Sequence, residues 1–281
     1  MVLTRHERRI DRLYGHGEGS ITDSHRGYMN FGLWDPGIAD YPTAAENLVA
    51  QLGVRARIAP GARVLDVACG RGVQDFFLLR RFGAIAIDAV DVTERNVATG
   101  RRQAAAYAGP GTVRFQRASA IRLPFGDATF TQVVCVEAAF HFDTRAAFVR
   151  EAARVLIGGG RLALADIVMR RAPRSRAEQA LLHAACALWR IPRANMVALM
   201  PYRAMLECSG FAIESIDEVA ARTFPGYYRA QRGEARRREL ILARGRVGAA
   251  VGAALNYAAH RVFESGLLDY VLVGAVKGAP A

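Results

Sequence analysis

Lysine is all but missing from this chain. Lys277 is its only example in 281 residues, so the formal charge of +12 rests almost wholly on arginine. Cysteine is also sparse. Cys69, Cys135, Cys186 and Cys208 stand apart without metal-ligand spacing, which argues against a disulfide framework and suits reduced thiols in a cytoplasmic protein. His6, His16, His25, His183 and His260 lack such spacing too, and no metal is expected. No apolar run approaches the ~20 residues of a membrane span. The opening Arg5-His6-Glu7-Arg8-Arg9 leads into no apolar segment of a secretory signal. Internal repeats and low-complexity linkers are missing as well.

What is present is ample apolar material, 52% of residues, enough for a buried core in one α/β domain with a cap. The arginine excess has two readings. One is an acidic partner, such as a phosphorylated substrate, nucleic acid or an anionic membrane. The other is an alanine- and arginine-rich composition without functional meaning. The spread from Arg5 to Arg261 favours the second, although Arg229, Arg232, Arg236, Arg237 and Arg238 form a local cluster.

The most informative stretch is Val64-Leu65-Asp66-Val67-Ala68-Cys69-Gly70-Arg71-Gly72. A short apolar strand ends near an acid and turns through two glycines into a helix-compatible segment from Val73. That order brings backbone close to a ligand at the carboxyl edge of a parallel sheet. A second apolar strand ends in Asp88-Ala89-Val90-Asp91-Val92. Asp91 lies about 20 residues past the turn, the spacing at which a carboxylate accepts ribose hydroxyls. Asp88 competes for that role if the strand is registered three residues earlier.

Alternation continues: strand 63–68, helix 73–82, strand 84–92, helix 94–107, strands 113–117 and 130–136, helix 144–156, strand 161–166. This predicts a doubly wound, Rossmann-like parallel sheet. Gly158-Gly159-Gly160 is expected to end one helix and launch the fifth strand. Residues 1–60 read as a helical cap around the glycine-rich run at 15–19, with a helix over 44–52. Residues 61–170 form the core. Residues 171–281 carry helices over 173–209, a sixth strand at 211–219, a helical lid over 224–264 and a seventh strand at 268–276.

With the later run Ala118-Ser119-Ala120-Ile121-Arg122-Leu123-Pro124-Phe125, the pattern resembles the class I S-adenosylmethionine-dependent methyltransferases, in particular those acting on small molecules. The resemblance covers residues 60–170 well and the flanks loosely. It implies a seven-stranded sheet whose last strand is antiparallel, and S-adenosylmethionine as cofactor. Asp66, Gly70 and Gly72 would surround the donor's methionine part, and Asp91 with Asn96 its ribose. Ser119 stands where an aspartate usually bonds the adenine amine, and Ala68 where glycine is common. Glu137 is a candidate for the donor pocket or a structural acid at a strand end. His141 is the candidate general base, with Asp166 to orient it or share its proton. Tyr14, Tyr28, Phe31 and Trp34 would wall the donor.

The expected activity is methyl transfer to a small, largely apolar acceptor, most simply O-methylation of a hydroxyl in a secondary metabolite. A second reading is C-methylation of an isoprenoid or prenyl diphosphate, with the Arg229–Arg238 cluster holding the diphosphate. A nucleic-acid methyltransferase ranks lower, because Glu137-Ala138-Ala139-Phe140-His141 replaces the usual base-modifying motifs. A non-catalytic binder is the remaining class. No nucleic-acid partner is expected. Basic charge beside an apolar lid also suits contact with an anionic membrane, and a homodimer is a further candidate association.

Overall fold

The computed structural model describes residues 2–15, 25–83 and 85–278. His16 to Gly19 of the glycine-rich run, and Ala84 at the expected start of the second strand, lie outside the described residues.

The apolar runs become strands: β1 (Arg63–Val67), β2 (Ala86–Asp91), β3 (Thr112–Arg117), β4 (Phe130–Val136), β5 (Leu156–Met169), β6 (Phe211–Glu218) and β7 (Leu268–Lys277). They pair in the order β3-β2-β1-β4-β5-β7-β6. The first five are parallel, and β7 runs antiparallel to both β5 and β6. The chain winds outward from β1 in one direction and from β4 in the other. A crevice therefore opens beyond the carboxyl ends of these two strands, the place where such sheets bind ligands.

Two apolar layers sandwich the sheet. One carries Leu48, Val49 and Leu52 of α2 (Tyr41–Arg55) and Leu78 and Leu79 of α3 (Val73–Phe82), with Val97 of α4 (Glu94–Ala106). The other carries Phe148, Val149 and Ala152 of α5 (Arg145–Val155) and Leu206 of α7 (Leu199–Cys208). Burial on both faces explains why the central strands read as continuous apolar runs rather than alternating ones. The remaining helices gather at the crevice: α1 (Arg5–Gly15), α6 (Arg176–Leu188), α8 (Phe224–Gln231) and α9 (Glu234–Glu264). Gly245 kinks α9 with non-helical backbone angles.

The three glycines at 158–160 depart from expectation. α5 stops at Val155, and β5 begins at once at Leu156. The glycines lie inside β5, where its register against β4 jumps from Phe130–Leu156 to Gln132–Arg161. Gly159 has φ +76°, and a Cβ on Gly160 would stand 2.9 Å from the Ile157 carbonyl oxygen. The run is a bulge that needs glycine, not a helix stop.

Gly72, which caps α3 at φ +83°, is held by packing as well as conformation, since a Cβ there would lie 2.4 Å from the Phe115 ring. Gly72→Ala is expected to lower the unfolding free energy by about 2–4 kcal/mol, combining left-handed strain with overpacking. Thermal denaturation checks this. A melting temperature within about two degrees of wild type would mean that Phe115 moves aside freely.

Candidate active site

A cavity of about 590 Å³ fills the crevice, within the roughly 300–1,000 Å³ of small-molecule sites. Its floor is the turn after β1. Ala68 and Gly70 both take left-handed backbone, at φ +64° and +58°. Glycine at position 68 would relieve that strain, and alanine is tolerated there at a cost of about 1–2 kcal/mol. A Cβ on Gly70 would meet the Met29 methyl at 2.5 Å, so the cap closes directly onto this turn.

Asp91 ends β2 and lines the cavity. Its Oδ2 accepts from Gly70 N at 2.9 Å; its Oδ1 accepts from Thr93 N at 2.7 Å and from Asn96 Nδ2 at 3.4 Å. Burial raises its pKa, and these donors oppose the rise. Asp88 sits back along the strand, opposite Leu65, and is not among the lining residues. Asn96 is buried and lines the cavity rather than facing solvent.

Asp66 and Gly72 stand behind the wall, outside the lining set. Gln74 is interposed: it lines the cavity, and its Nε2 donates to Asp66 Oδ2 at 2.6 Å. Asp75, fully buried beside Asp66, was not singled out from the sequence. Burial raises the Asp66 pKa to about 6 and holds Asp75 well above the usual carboxylate range. Two buried carboxyls in contact cannot both ionise, so Asp75 keeps its proton. The pair braces the start of α3 beneath the turn.

Glu137 follows β4 in left-handed backbone, φ +56°. Its Oε2 accepts from Phe31 N at 2.7 Å and from the Tyr270 hydroxyl at 2.8 Å. Burial still pushes its pKa from 4.5 to about 8. His141 ends a single 3₁₀ turn, Ala139–His141, and is buried in the cavity wall. Burial, and then proximity of His6, lowers its pKa to about 3, so the imidazole is neutral. The Tyr14 hydroxyl lies 2.8 Å from its Nε2, and the backbone at Arg190 and Trp189 lies close enough to the ring to oppose the fall in its pKa. His6 Nε2 donates to the His141 carbonyl oxygen at 2.8 Å.

Asp166 does not meet the expectation that it orients His141. Its carboxylate pairs with Arg145, at 2.8 Å from Nε and 3.1 Å from Nη2, and accepts from Ile167 N. Arg145 is fully buried and also donates to the carbonyls of Asn195 and Ile167. A buried guanidinium needs that charge, and Asp166 is committed to it.

Tyr14, Tyr28 and Phe31 line the cavity. Trp34 does not; it packs on Gly226 and donates Nε1 to the Phe31 carbonyl at 3.0 Å. Phe263 of α9 stacks on Phe224 of α8 to close the lid side. Arg244, Asn256 and His260 bring polar groups into that mostly apolar surface. None of the five arginines of the Arg229–Arg238 cluster lines the cavity: Arg232 stands behind the wall over the Tyr228 ring, and Arg236 is buried against Gln231. Among the described residues, no group of three His, Cys, Asp or Glu side chains is arranged to hold a metal ion, and no helix is long and apolar enough to cross a membrane.

Ser119 is buried at the end of β3, and its Oγ donates to Glu7 Oε1 of α1. Glu7 itself lines the cavity. It was missed because α1 is mostly polar, and an acid in such a helix reads as part of its solvent face. The available signal was Thr4-Arg5-His6-Glu7, a capping-box pattern that marks a helix start.

Residues 64–160 match the model of the family described as a methyltransferase domain. The chain is 39% identical over 141 residues to the erythromycin 3''-O-methyltransferase of Saccharopolyspora erythraea, covering 50% of this chain and 46% of that one. It is 31% identical over 199 residues to methyltransferase GfsG of Streptomyces halstedii, covering 70% of each. The match thus spans about half the length of the erythromycin relative. A solved geranyl diphosphate C-methyltransferase from Streptomyces coelicolor, in complex with Mg²⁺, geranyl diphosphate and S-adenosyl-L-homocysteine, superposes with a TM-score of 0.76 at 18% identity, over 98% of both chains.

The raised pKa of Glu137 makes stability depend on pH. Between pH 4.5 and about 8 the unfolded chain has released this proton while the folded protein keeps it. Stability therefore falls as pH rises through that window, and Asp66 adds a loss of the same sign up to about pH 6. Glu137→Gln is expected to flatten the decline of melting temperature across the upper half of the window. Parallel wild-type and variant slopes would remove Glu137 as the source.

Proposed function

Because this chain belongs to the class I S-adenosylmethionine-dependent methyltransferases of small molecules, we propose that it O-methylates a hydroxyl of a largely apolar secondary metabolite, with His141 receiving the hydroxyl proton. The observation that carries this reading is the contact at His141. A neutral, buried imidazole in the cavity wall holds a hydroxyl, that of Tyr14, 2.8 Å from Nε2. That is the hydrogen bond a general base makes with the group it deprotonates.

The residues present suit the cofactor. Gly70 presents bare backbone to the cavity. Asp91 accepts from Gly70 N, Thr93 N and Asn96 Nδ2, the last at 3.4 Å. The longest of these bonds, from Asn96, can yield to a ribose hydroxyl. Asn30 lines the cavity with Nδ2 buried and, among the described residues, without a partner, a donor in want of an acceptor. When bound, S-adenosylmethionine supplies a methyl group on a cationic sulfur. Around it, Tyr14, Tyr28 and Phe31 exclude water and present aromatic faces. Glu137, tied to Phe31 and Tyr270, holds the cap strand against the floor.

For the acceptor, His141 Nε2 takes the proton as the oxygen attacks. Burial makes the imidazole a weak resting base, so it holds the proton only in passing. Tyr14 must swing away from Nε2 before an acceptor hydroxyl can replace it. The apolar lid with Arg244, Asn256 and His260 suits an oxygenated but mainly hydrocarbon molecule. The relatives named O-methyltransferases support the same chemistry. A prenyl diphosphate acceptor gains less support, because Arg71 and Arg244 are the only lysine or arginine side chains among the described lining residues.

A donor-dependent product screen by mass spectrometry, against glycosylated polyketides, phenols and prenyl diphosphates, tests the acceptor class. With the acceptor found, His141→Ala is expected to lower kcat by about 10²–10⁴ while S-adenosylhomocysteine affinity holds. Unchanged turnover would end the role of His141, and a methylated carbon in the product would end the O-methyl reading.

A further inference from the structure

The carboxylate on Ser119 is placed where a cofactor-reading group is needed. Glu7 is buried yet lines the cavity, and it comes from a helix that buries no other residue. One of its oxygens closes the start of α1: Oε2 accepts from Thr4 N at 2.7 Å, while Thr4 Oγ1 accepts from Glu7 N at 3.0 Å. This reciprocal capping box fixes the side chain. The other oxygen, Oε1, is thereby aimed at the end of β3, where Ser119 Oγ meets it. The neighbouring wall, Val92, Ala118, Ala120 and Ile121, is apolar and small. It leads from Asp91, at the end of β2, to Glu7 and Ser119. An apolar wall between a ribose-binding acid and a second acid suits a planar base. An ionised carboxylate accepts hydrogen bonds and donates none, so it selects a base with an amine on its edge.

We propose that Glu7, carried by α1 and steadied by Ser119, binds the exocyclic amine of the S-adenosylmethionine adenine. It thereby supplies from a distant segment the carboxylate that position 119 lacks. This rests on the cofactor reading above. It also makes α1 part of the donor site, because the amine is recognised only when α1 is docked.

The test uses the full chain and two ligands: S-adenosylhomocysteine and its inosine counterpart, in which a carbonyl replaces the adenine amine. Calorimetry on wild type is expected to show S-adenosylhomocysteine preferred by about 10- to 100-fold, the worth of a hydrogen bond to a charged group. Glu7→Gln keeps the capping oxygen but turns an amide N–H toward the amine. It should collapse that preference to about twofold or less while the melting temperature stays near wild type. A merely structural Glu7 would weaken both ligands alike. Combining Glu7→Ala with Ser119→Asp moves the carboxylate back to β3 and should restore the preference. If Glu7→Gln discriminates as wild type does, or if the double variant fails to regain the preference, Glu7 does not read the amine. If wild type binds neither ligand, the cofactor reading falls and this proposal with it.

Discussion

One buried carboxylate, Asp91 at the end of β2, ties two further pieces of backbone to that strand. Through Gly70 N it holds the turn after β1, and through Thr93 N and Asn96 the start of α4. Burial alone would drive this group toward its protonated form, in which it would lose acceptor capacity. The three donors keep it available as an acceptor. The floor of the cavity and the first turn of α4 are therefore tied to the end of β2 by one carboxylate. Its loss would leave buried N–H groups without partners, each costing about 1–3 kcal/mol.

The cavity's electrostatics follow from the same economy of charge. Glu7, Asp91, Glu137 and Asp143 line it, and Asp66 with Asp75 lie just behind. The described lining contributes two arginines and a neutral His141. Acids gathered in an apolar enclosure are costly while it is empty, and burial answers by raising the pKa of Asp66, Asp75, Asp91 and Glu137. A ligand bearing positive charge reverses that balance, because it favours the ionised form of every acid around it.

Much of the fold was legible because its signals are local. Apolar runs punctuated by glycine marked β1, β2 and β4, and β4 ends at Val136 as the pattern indicates. The antiparallel last strand came from resemblance, and the sheet order bears it out. The glycines at 158–160 misled because a bulge and a helix stop call for the same residue. In the site, Asp166 looked free since the apolar run reads as ending there, whereas β5 continues to Met169. Its partner Arg145 is one arginine in a chain full of them, so composition hid the buried cation. Glu7 was hidden differently: its contact with Ser119 spans 112 positions and is polar, and no hydrophobic period reports such a contact.

The two covers over the cavity are held by different forces, and this bears on how a ligand enters. The lid from α6, α8 and α9 is closed by stacked and edge-on rings, among them Trp189, Phe224 and Phe263. Opening it would expose apolar surface at about 25 cal/mol per Å². α1 instead is fastened by discrete polar contacts: Glu7 to Ser119, Tyr14 and His6 to His141, Asp11 to Arg117. Each such bond nets only about 0.5–1.5 kcal/mol, because water replaces it when broken. The groups released by α1 are satisfied in solvent, whereas the aromatic rings of the other lid are not. Movement of α1 would part Tyr14 from His141 Nε2 and Glu7 from Ser119.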